Sequence, residues 1–185
     1  MRPAMAIWRL PRPFEDKIPG KFCRSLEDVV HRVEALRRAG KRVVFTNGGF
    51  DLFHVGHVRS LRHARALGDH LVVAVNSDAS VRRSKGPGRP LFPQEERLEI
   101  VASLDCVDTV FFFEDDTADR LIAVVKPHVH AKGPDYADTL PERSTVLSYG
   151  GEIVIVGDSK DHSSTEIQRR LRATSGEGEG GRSAI

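Results

Sequence analysis

The order of its apolar segments predicts an α/β chain: a Rossmann-like, five-stranded parallel sheet with helices on both faces. Three observations lead there. Short runs rich in valine and phenylalanine alternate with segments whose apolar residues recur at helical spacing. Enough chain separates successive runs for the crossovers that parallel neighbours need, which are right-handed in nearly every case. A glycine-rich stretch, Thr46–His57 (TNGGFDLFHVGH), directly follows the first run, and parallel sheets bind ligands beyond the carboxyl ends of their strands.

Residues 1–24 carry Pro3, Pro11, Pro13 and Pro19 without periodicity and read as an extended arm packed through Trp8 and Phe14. A helix is expected next. Ser25 and Asp28 have capping-box spacing, Leu26, Val29, Val30, Val33 and Leu36 form an apolar stripe, and Gly40 supplies the stop. Arg42–Thr46 reads as the first strand, Val58–Leu67 as a helix ended by Gly68, and His70–Asn76 as the second strand. A brief helix over Ala79–Arg83 precedes a Gly/Pro loop, Lys85–Pro93. Gln94–Leu104 is predicted helical, Thr109–Phe113 extended and Thr117–Val125 helical. His128–Lys132 and Glu152–Val156 complete the strands around a weak helix at Leu140–Tyr149, and Ser164–Arg172 is the last helix. The domain is thus expected over 25–172, with a disordered Gly/Glu/Ser tail at 173–185.

Composition narrows the function classes. Hydrophobic content of 39% with 29% charged residues is that of a soluble protein, and no apolar run approaches the roughly 18–20 residues of a membrane span. No membrane partner is expected. The N-terminal segment has only a short apolar patch broken by arginine and proline, a poor secretory signal, so a cytoplasmic location is expected. Cys23 and Cys106, far apart and in apolar surroundings, read as reduced core thiols. A net charge of +2 does not argue for nucleic acid, and the basic cluster Arg82, Arg83, Lys85 and Arg89 lacks interleaved aromatic residues. Small-molecule phosphate is the expected ligand, and no nucleic acid.

The stretch at Thr46–His57 suits that ligand. Glycines let backbone approach a phosphate closely, a helix N-terminus offers unpaired N–H groups, and imidazoles add donors. It is neither the GxxxxGK[ST] of a P-loop nor a GxGxxG fingerprint. His54 and His57 could also ligate a metal, but no carboxylate or cysteine co-ligands stand at metal spacing, so no protein-held metal site is expected.

His54, Gly56 and His57 in the order HxGH, behind Asn47, Gly48, Gly49, Phe50 and Asp51, resemble the signature of the nucleotidyltransferases typified by cytidylyltransferases and pantetheine-phosphate adenylyltransferase. The series FTNGGFD, NSDASV, KGPGRP and QEER resembles more closely the adenylyltransferases that make ADP-heptose from D-glycero-β-D-manno-heptose 1-phosphate, over about Ser25–Leu171. The resemblance implies that AMP passes from ATP to a sugar 1-phosphate and that pyrophosphate leaves by in-line displacement. It also implies that His54, His57 and Lys85 act on the phosphates and that Asn47, Gly48, Gly49, Phe50, Gly56, Arg97, Lys132, Gly133, Ser163, Ser164 and Thr165 bind nucleotide. Asp51, Asp78 and Asp135 would meet the acceptor. Mg2+ would arrive with ATP, a separate sugar kinase would supply the 1-phosphate, and the assembly would be a homodimer or larger. Gly49 replaces a usual cysteine, Phe53 a usual leucine and Pro134 a usual glycine. Two other readings stay open: a cytidylyltransferase acting on glycerol 3-phosphate or a similar small phosphate, and a nucleotide-binding or sensing protein without turnover.

Overall fold

Parallel strands bury both faces, so their side chains must feed two cores, and this chain does so residue by residue. The computed structural model describes Ile18, residues 20–136 and 139–157, and Ile167, Arg169, Arg170 and Ala173. In chain order the elements are α1 (Leu26–Arg38), β1 (Val43–Gly48), α2 (Val55–Ala66), β2 (His70–Asn76), α3 (Asp78–Lys85), α4 (Gln94–Ala102), β3 (Thr109–Phe113), α5 (Asp119–Val125), β4 (Val129–Lys132), α6 (Arg143–Ser148) and β5 (Glu152–Ile155). The five strands form one parallel sheet ordered β3-β2-β1-β4-β5.

Val44, Leu71, Val73 and Val75 point to a core shared with Leu61 and Ala64 of α2 and Leu98 and Val101 of α4. Their neighbours Val43, Phe45, Val72 and Ala74 point to the opposite core, with Val29 and Val33 of α1, Leu121 and Ile122 of α5 and Val146 of α6. The two-residue period of a strand produces this division. Each fully buried Val, Leu or Phe contributes about 1.5–3 kcal/mol, so a one-residue slip of β1 would exchange its two faces.

α1 starts where its sequence signals: the Asp28 N–H donates to Ser25 Oγ at 3.1 Å and the Ser25 N–H to Asp28 Oδ2 at 3.1 Å. Gly68, after α2, is a close-approach glycine, since a Cβ there would stand 2.6 Å from the Arg42 carbonyl oxygen and 2.8 Å from Val44 Cγ2.

Several boundaries differ from expectation for local reasons. α2 begins at Val55 rather than Val58, because His54 takes the extended N-cap conformation and His57 belongs to the first turn. α3 runs from Asp78 to Lys85, capped by Ser77 Oγ, so Lys85 ends a helix instead of opening a loop. Residues 21–23 run extended along β3: Cys23 N–H donates to the Val110 carbonyl and Val110 N–H to that of Lys21, both at 2.9 Å, which covers the β3 edge. Cys23 is buried, whereas Cys106 is only partly so, a correction to the expectation of two core thiols. Trp8, Phe14 and the tail at 173–185, Ala173 apart, lie outside the described residues, as does most of the predicted last helix. Among the described residues no helix is long and apolar enough to cross a membrane.

Candidate active site

The sheet winds outward from β1 through β2 to β3, then returns to place β4 on the other side of β1. Loops at the carboxyl ends of β1 and β4 therefore diverge and leave a crevice. Across it, Lys132 Nζ donates to Asn47 Oδ1 at 3.0 Å.

The loop leaving β1 is held under strain. Phe50 (φ 50°) and Leu52 (φ 46°) both occupy the left-handed region, at a cost of order 1–3 kcal/mol each for non-glycine residues. Asp51 between them keeps the shape. It is 1% exposed; its Oδ1 accepts the Leu91 and Phe92 N–H groups at 2.9 and 3.3 Å, and its Oδ2 is paired with the buried Arg89. Burial would raise the Asp51 carboxyl, but the Arg89 guanidinium and the two amides outweigh it and hold it below the usual range.

This loop delivers the two histidines at the head of α2. Residues three apart on a helix are neighbours, and the His54 and His57 rings stack with centroids 3.9 Å apart and planes at 28°. Phe53 stacks on His57 from 5.1 Å and Phe50 meets it edge-on at 5.5 Å. Phe53 thus packs against the motif itself. The His54 backbone N–H donates to His57 Nδ1 at 3.3 Å, so the neutral ring carries its proton on Nε2 and is a donor there. Burial first, then the His54 and Lys85 charges, push the His57 imidazole down to about 3. His57 is therefore neutral near pH 7.

Lys85 closes α3 beside the glycines: a Cβ on Gly49 would stand 3.8 Å from Lys85 Nζ and 3.4 Å from Val81 Cγ2. Lys85 is exposed as a whole residue, yet desolvation of its ammonium, with Arg89 and Arg97 nearby, lowers its basicity. A cation surrounded by cations is poised for an anion.

Arg97 and Asp78 serve the loop from behind. Arg97 is fully buried; its Nε donates to the Phe92 carbonyl at 3.0 Å, its Nη1 to that of Gly49, and its Nη2 to Asp78 Oδ1 at 2.7 Å. Arg97, expected to bind nucleotide, has no exposed surface in this structure. Asp51 (1% exposed) is likewise an anchor rather than a group facing open space, and Asp78 is tied into the same support.

A cleft of about 170 Å³ opens above these elements, lined by Asn47, Gly48, Gly49, Asn76, Lys85, Asp116, Thr117, Lys132 and Glu142 among others. Of the residues predicted from sequence, Asn47, Gly48, Gly49, Lys85 and Lys132 meet on this wall. Gly56 lies in the first turn of α2 and Phe50 packs on His57. Gly133 faces open space, where a Cβ would touch nothing within 4 Å. Asp135 is exposed in the short 3-10 turn Pro134–Tyr136, whose opening φ suits proline. Ser163, Ser164 and Thr165 lie outside the described residues.

Three participants were not singled out from sequence, His130, Asp116 and Glu142, and Arg89 was noted only within a basic cluster and the KGPGRP motif. His130 is fully buried in β4, 3.9 Å from Glu142 Oε2, while the Ala118 N–H donates to Glu142 Oε1 at 2.9 Å. Burial would raise Glu142, but His130 and Lys132 prevail and pull its carboxyl down to about 2. A histidine inside the apolar strand VHAK was the one available signal.

A parallel sheet with an HxGH turn at the head of the helix after β1, flanked by a lysine and closed by a second lysine across the β1/β4 crevice, defines an α/β nucleotidyltransferase. The chain belongs to the cytidylyltransferase-like family, whose sequence profile matches residues 45–170. This is a family of enzymes that draw on nucleoside triphosphates. The chain is 52% identical over 140 residues to the bifunctional protein HldE of Pelobacter propionicus, covering 75% of this chain and 29% of that one. It is 47% identical over 155 residues to that of Geobacter sulfurreducens, covering 83% and 32%. It therefore spans about a third of the length of these curated relatives. A lipopolysaccharide core biosynthesis protein from Thermoplasma volcanium superimposes with a TM-score of 0.55 at 28% identity, covering 65% of this chain and all of that one. Pantoate-beta-alanine ligase from Francisella tularensis, with a TM-score of 0.55 at 15% identity over 85% of this chain and 78% of that one, shares the fold.

Proposed function

We propose that this protein transfers AMP from ATP to a sugar 1-phosphate, D-glycero-β-D-manno-heptose 1-phosphate, releasing pyrophosphate and forming an ADP-sugar. The observation that carries this reading is the stacked His54–His57 pair beside Lys85, with His57 Nδ1 engaged and Nε2 left as a donor. The resemblance of the motif series to ADP-heptose-forming enzymes, and the similarity to a lipopolysaccharide core biosynthesis protein from Thermoplasma volcanium, support the choice of acceptor.

An oxygen of the acceptor phosphate attacks the α-phosphorus of ATP. The new P–O bond forms as the bond from that phosphorus to the α–β bridging oxygen breaks, and the electron pair leaves with pyrophosphate. No covalent enzyme intermediate is needed, so positioning and charge stabilisation do the work. His57 Nε2–H donates to the transferring phosphoryl group, with His54 beside it and the N-terminus of α2 adding its dipole. Lys85 and Lys132 hold phosphate oxygens from opposite sides, and the backbone of Asn47–Phe50, Gly56 and Gly133 lies along the nucleotide. Ser163, Ser164 and Thr165 receive the β- and γ-phosphates, and Asp135 meets the acceptor or the base. Arg97, Asp51 and Asp78 act through the loop they support.

Magnesium bound to the triphosphate would supply charge neutralisation, with Lys85 and Lys132 meeting the phosphate oxygens. Among the described residues no group of three His, Cys, Asp or Glu could hold a metal ion, and a triphosphate supplies phosphate oxygens, with water, as ligands of its own. The enzyme works in the cytoplasm as a homodimer or larger assembly, and a sugar kinase activity supplies its 1-phosphate.

Pyrophosphate release tests the reading, with ATP or CTP paired with heptose 1-phosphate or glycerol 3-phosphate in magnesium buffer. ATP with heptose 1-phosphate is expected to turn over fastest, and His57→Ala to lower kcat about 10²–10³-fold. Absence of turnover with every pair in folded protein would overturn it. Faster turnover of CTP with glycerol 3-phosphate would select the cytidylyltransferase reading.

A further inference from the structure

We propose that Glu142 is a positioning residue for the transfer reaction: from the N-cap of α6 it supplies the counter-charge that holds Lys132 as a cation at the β1/β4 crevice, and it anchors the head of α5 beside it. The inference rests on the transferase reading and assigns a role to a residue outside the motif series.

Alternate residues of β4 serve different cores. Val129 and Ala131 pack with α2 and α4, so His130 and Lys132, two residues apart, leave the strand on the other face, toward α5 and α6. His130 is fully buried and lies against Phe45 with ring centroids 5.8 Å apart. Its Nε2 stands 3.9 Å from Glu142 Oε2. Glu142, 2% exposed, uses Oε1 for the Ala118 amide at 2.9 Å, and its buried Oε2 has no hydrogen-bond partner. Lys132, 4% exposed, reaches from the same side of β4 into the cleft that Glu142 also lines. A second latch joins the two helices, since Thr145 Oγ1 donates to Asp119 Oδ1 at 2.6 Å.

A carboxylate, an imidazole and an ammonium are costly inside an apolar core, where apolar residues of similar volume commonly stabilise a fold as well or better. Stability is therefore a poor reason for the set. Burial pushes His130 below the usual imidazole range, so its ring is neutral and the charge of Glu142 is left to the ammonium of Lys132. Burial also lowers Lys132, and Glu142 opposes that loss of basicity. The pull is mutual, because Lys132 helps to hold the Glu142 carboxyl down. Other charges on the cleft are engaged elsewhere: Asp116 pairs with Arg83, and the Lys85 ammonium answers to Arg89, Asp51 and Arg97. β1 presents the neutral Asn47, β5 places Ile155 beside Lys132, and Asp135 is exposed beyond Gly133. Glu142 thus acts as the counter-ion of Lys132 until a triphosphate oxygen takes that place.

Two measurements on the full chain test this. Glu142→Gln keeps the size of the side chain and the acceptor for Ala118 and removes only the charge. In an NMR titration without ligand, the Lys132 Cε resonance, assigned by its loss in Lys132→Arg, is expected to titrate at least about one pH unit lower in Glu142→Gln, while that of Lys85 stays in place. The coupling is reciprocal, so Lys132→Met should raise the Glu142 Cδ midpoint by a similar interval, which decides the matter even if Glu142→Gln does not fold. In the pyrophosphate assay, the alkaline limb of kcat/KM for ATP reports free-enzyme groups and should move to lower pH in Glu142→Gln. The same substitution should not move it in the Lys132→Arg background, whose guanidinium does not titrate. Midpoints that stay in place in the folded variants, or a limb that moves equally in both backgrounds, would overturn the proposal. Shifted midpoints with no pyrophosphate from any triphosphate–phosphate pair would keep the ion pair and remove the transferase reading; pyrophosphate formed with unmoved midpoints would do the reverse.

Discussion

Arg97→Met should destabilise the protein severely although Arg97 touches no solvent and, by its geometry, no ligand. The guanidinium is fully buried and makes three bonds, to the carbonyls of Phe92 and Gly49 and to the Asp78 carboxylate. Methionine preserves much of the apolar stem but leaves two carbonyls and a one-third-exposed carboxylate without their donor. Breaking such a buried pair costs about 3–5 kcal/mol. For a domain of this size, each kcal/mol shifts Tm by roughly 2–4 °C, so a fall of about 6–20 °C is expected. Urea unfolding followed by circular dichroism measures the free energy, and a double-mutant cycle with Asp78→Asn measures the coupling, expected to exceed about 1 kcal/mol. A loss below about 1 kcal/mol, accompanied by a large rise in the ATP KM, would refute the reasoning and return Arg97 to the phosphate.

Three further outcomes follow from the geometry. His57 is held at about 3 against an unfolded value of 6.5; below pH 6.5 the unfolded chain takes a proton that the folded one refuses, so stability falls with pH down to about 3. The slope is about 1.4 kcal/mol per unit for that proton, and His57→Asn should flatten the stability curve by that amount; parallel curves would contradict it. Asp51→Ala, which strands the buried Arg89 and frees two amides, should cost about 3–5 kcal/mol, seen as a lowered urea midpoint, and the Asp51→Ala/Arg89→Met pair should cost less than the sum of its singles. Gly68→Ala drives a Cβ to 2.6 Å from the Arg42 carbonyl and should lower Tm through an overpacking cost of about 1–3 kcal/mol.

The sheet was legible because periodicity reports burial: the runs at 43–45, 71–75 and 110–113 face two cores and are apolar throughout. The HxGH turn was legible because its glycines and histidines are local. Partnership was harder to read. Nothing in the sequence says that Arg97 turns inward while Lys85 turns to the cleft, since a guanidinium and an ammonium look alike until tertiary acceptors are placed around them. Glu142 was invisible for the same reason: its partners Ala118 and His130 come from other segments, and TLPERS has no pattern that predicts a buried carboxylate. The start of α2 was misplaced by three residues because histidine is a weak N-cap by propensity, and here its cap role comes from the strained loop before it.

The Lys132–Asn47 contact across the crevice has a consequence for how the protein is made. Arg42 and Asp69, at the β1/β2 end, meet across 27 positions, whereas Asn47 and Lys132 meet across 85. Closing the longer loop costs about 1 kcal/mol more in chain entropy, so β1, α2 and β2 can associate early and β4 joins against a steeper penalty. A newly collapsing chain would hold its glycine turn and both histidines while one wall of the crevice is still missing. A ligand spanning that seam would then stabilise the last long-range contact to form, and refolding in its presence would favour the complete sheet over the half-assembled one.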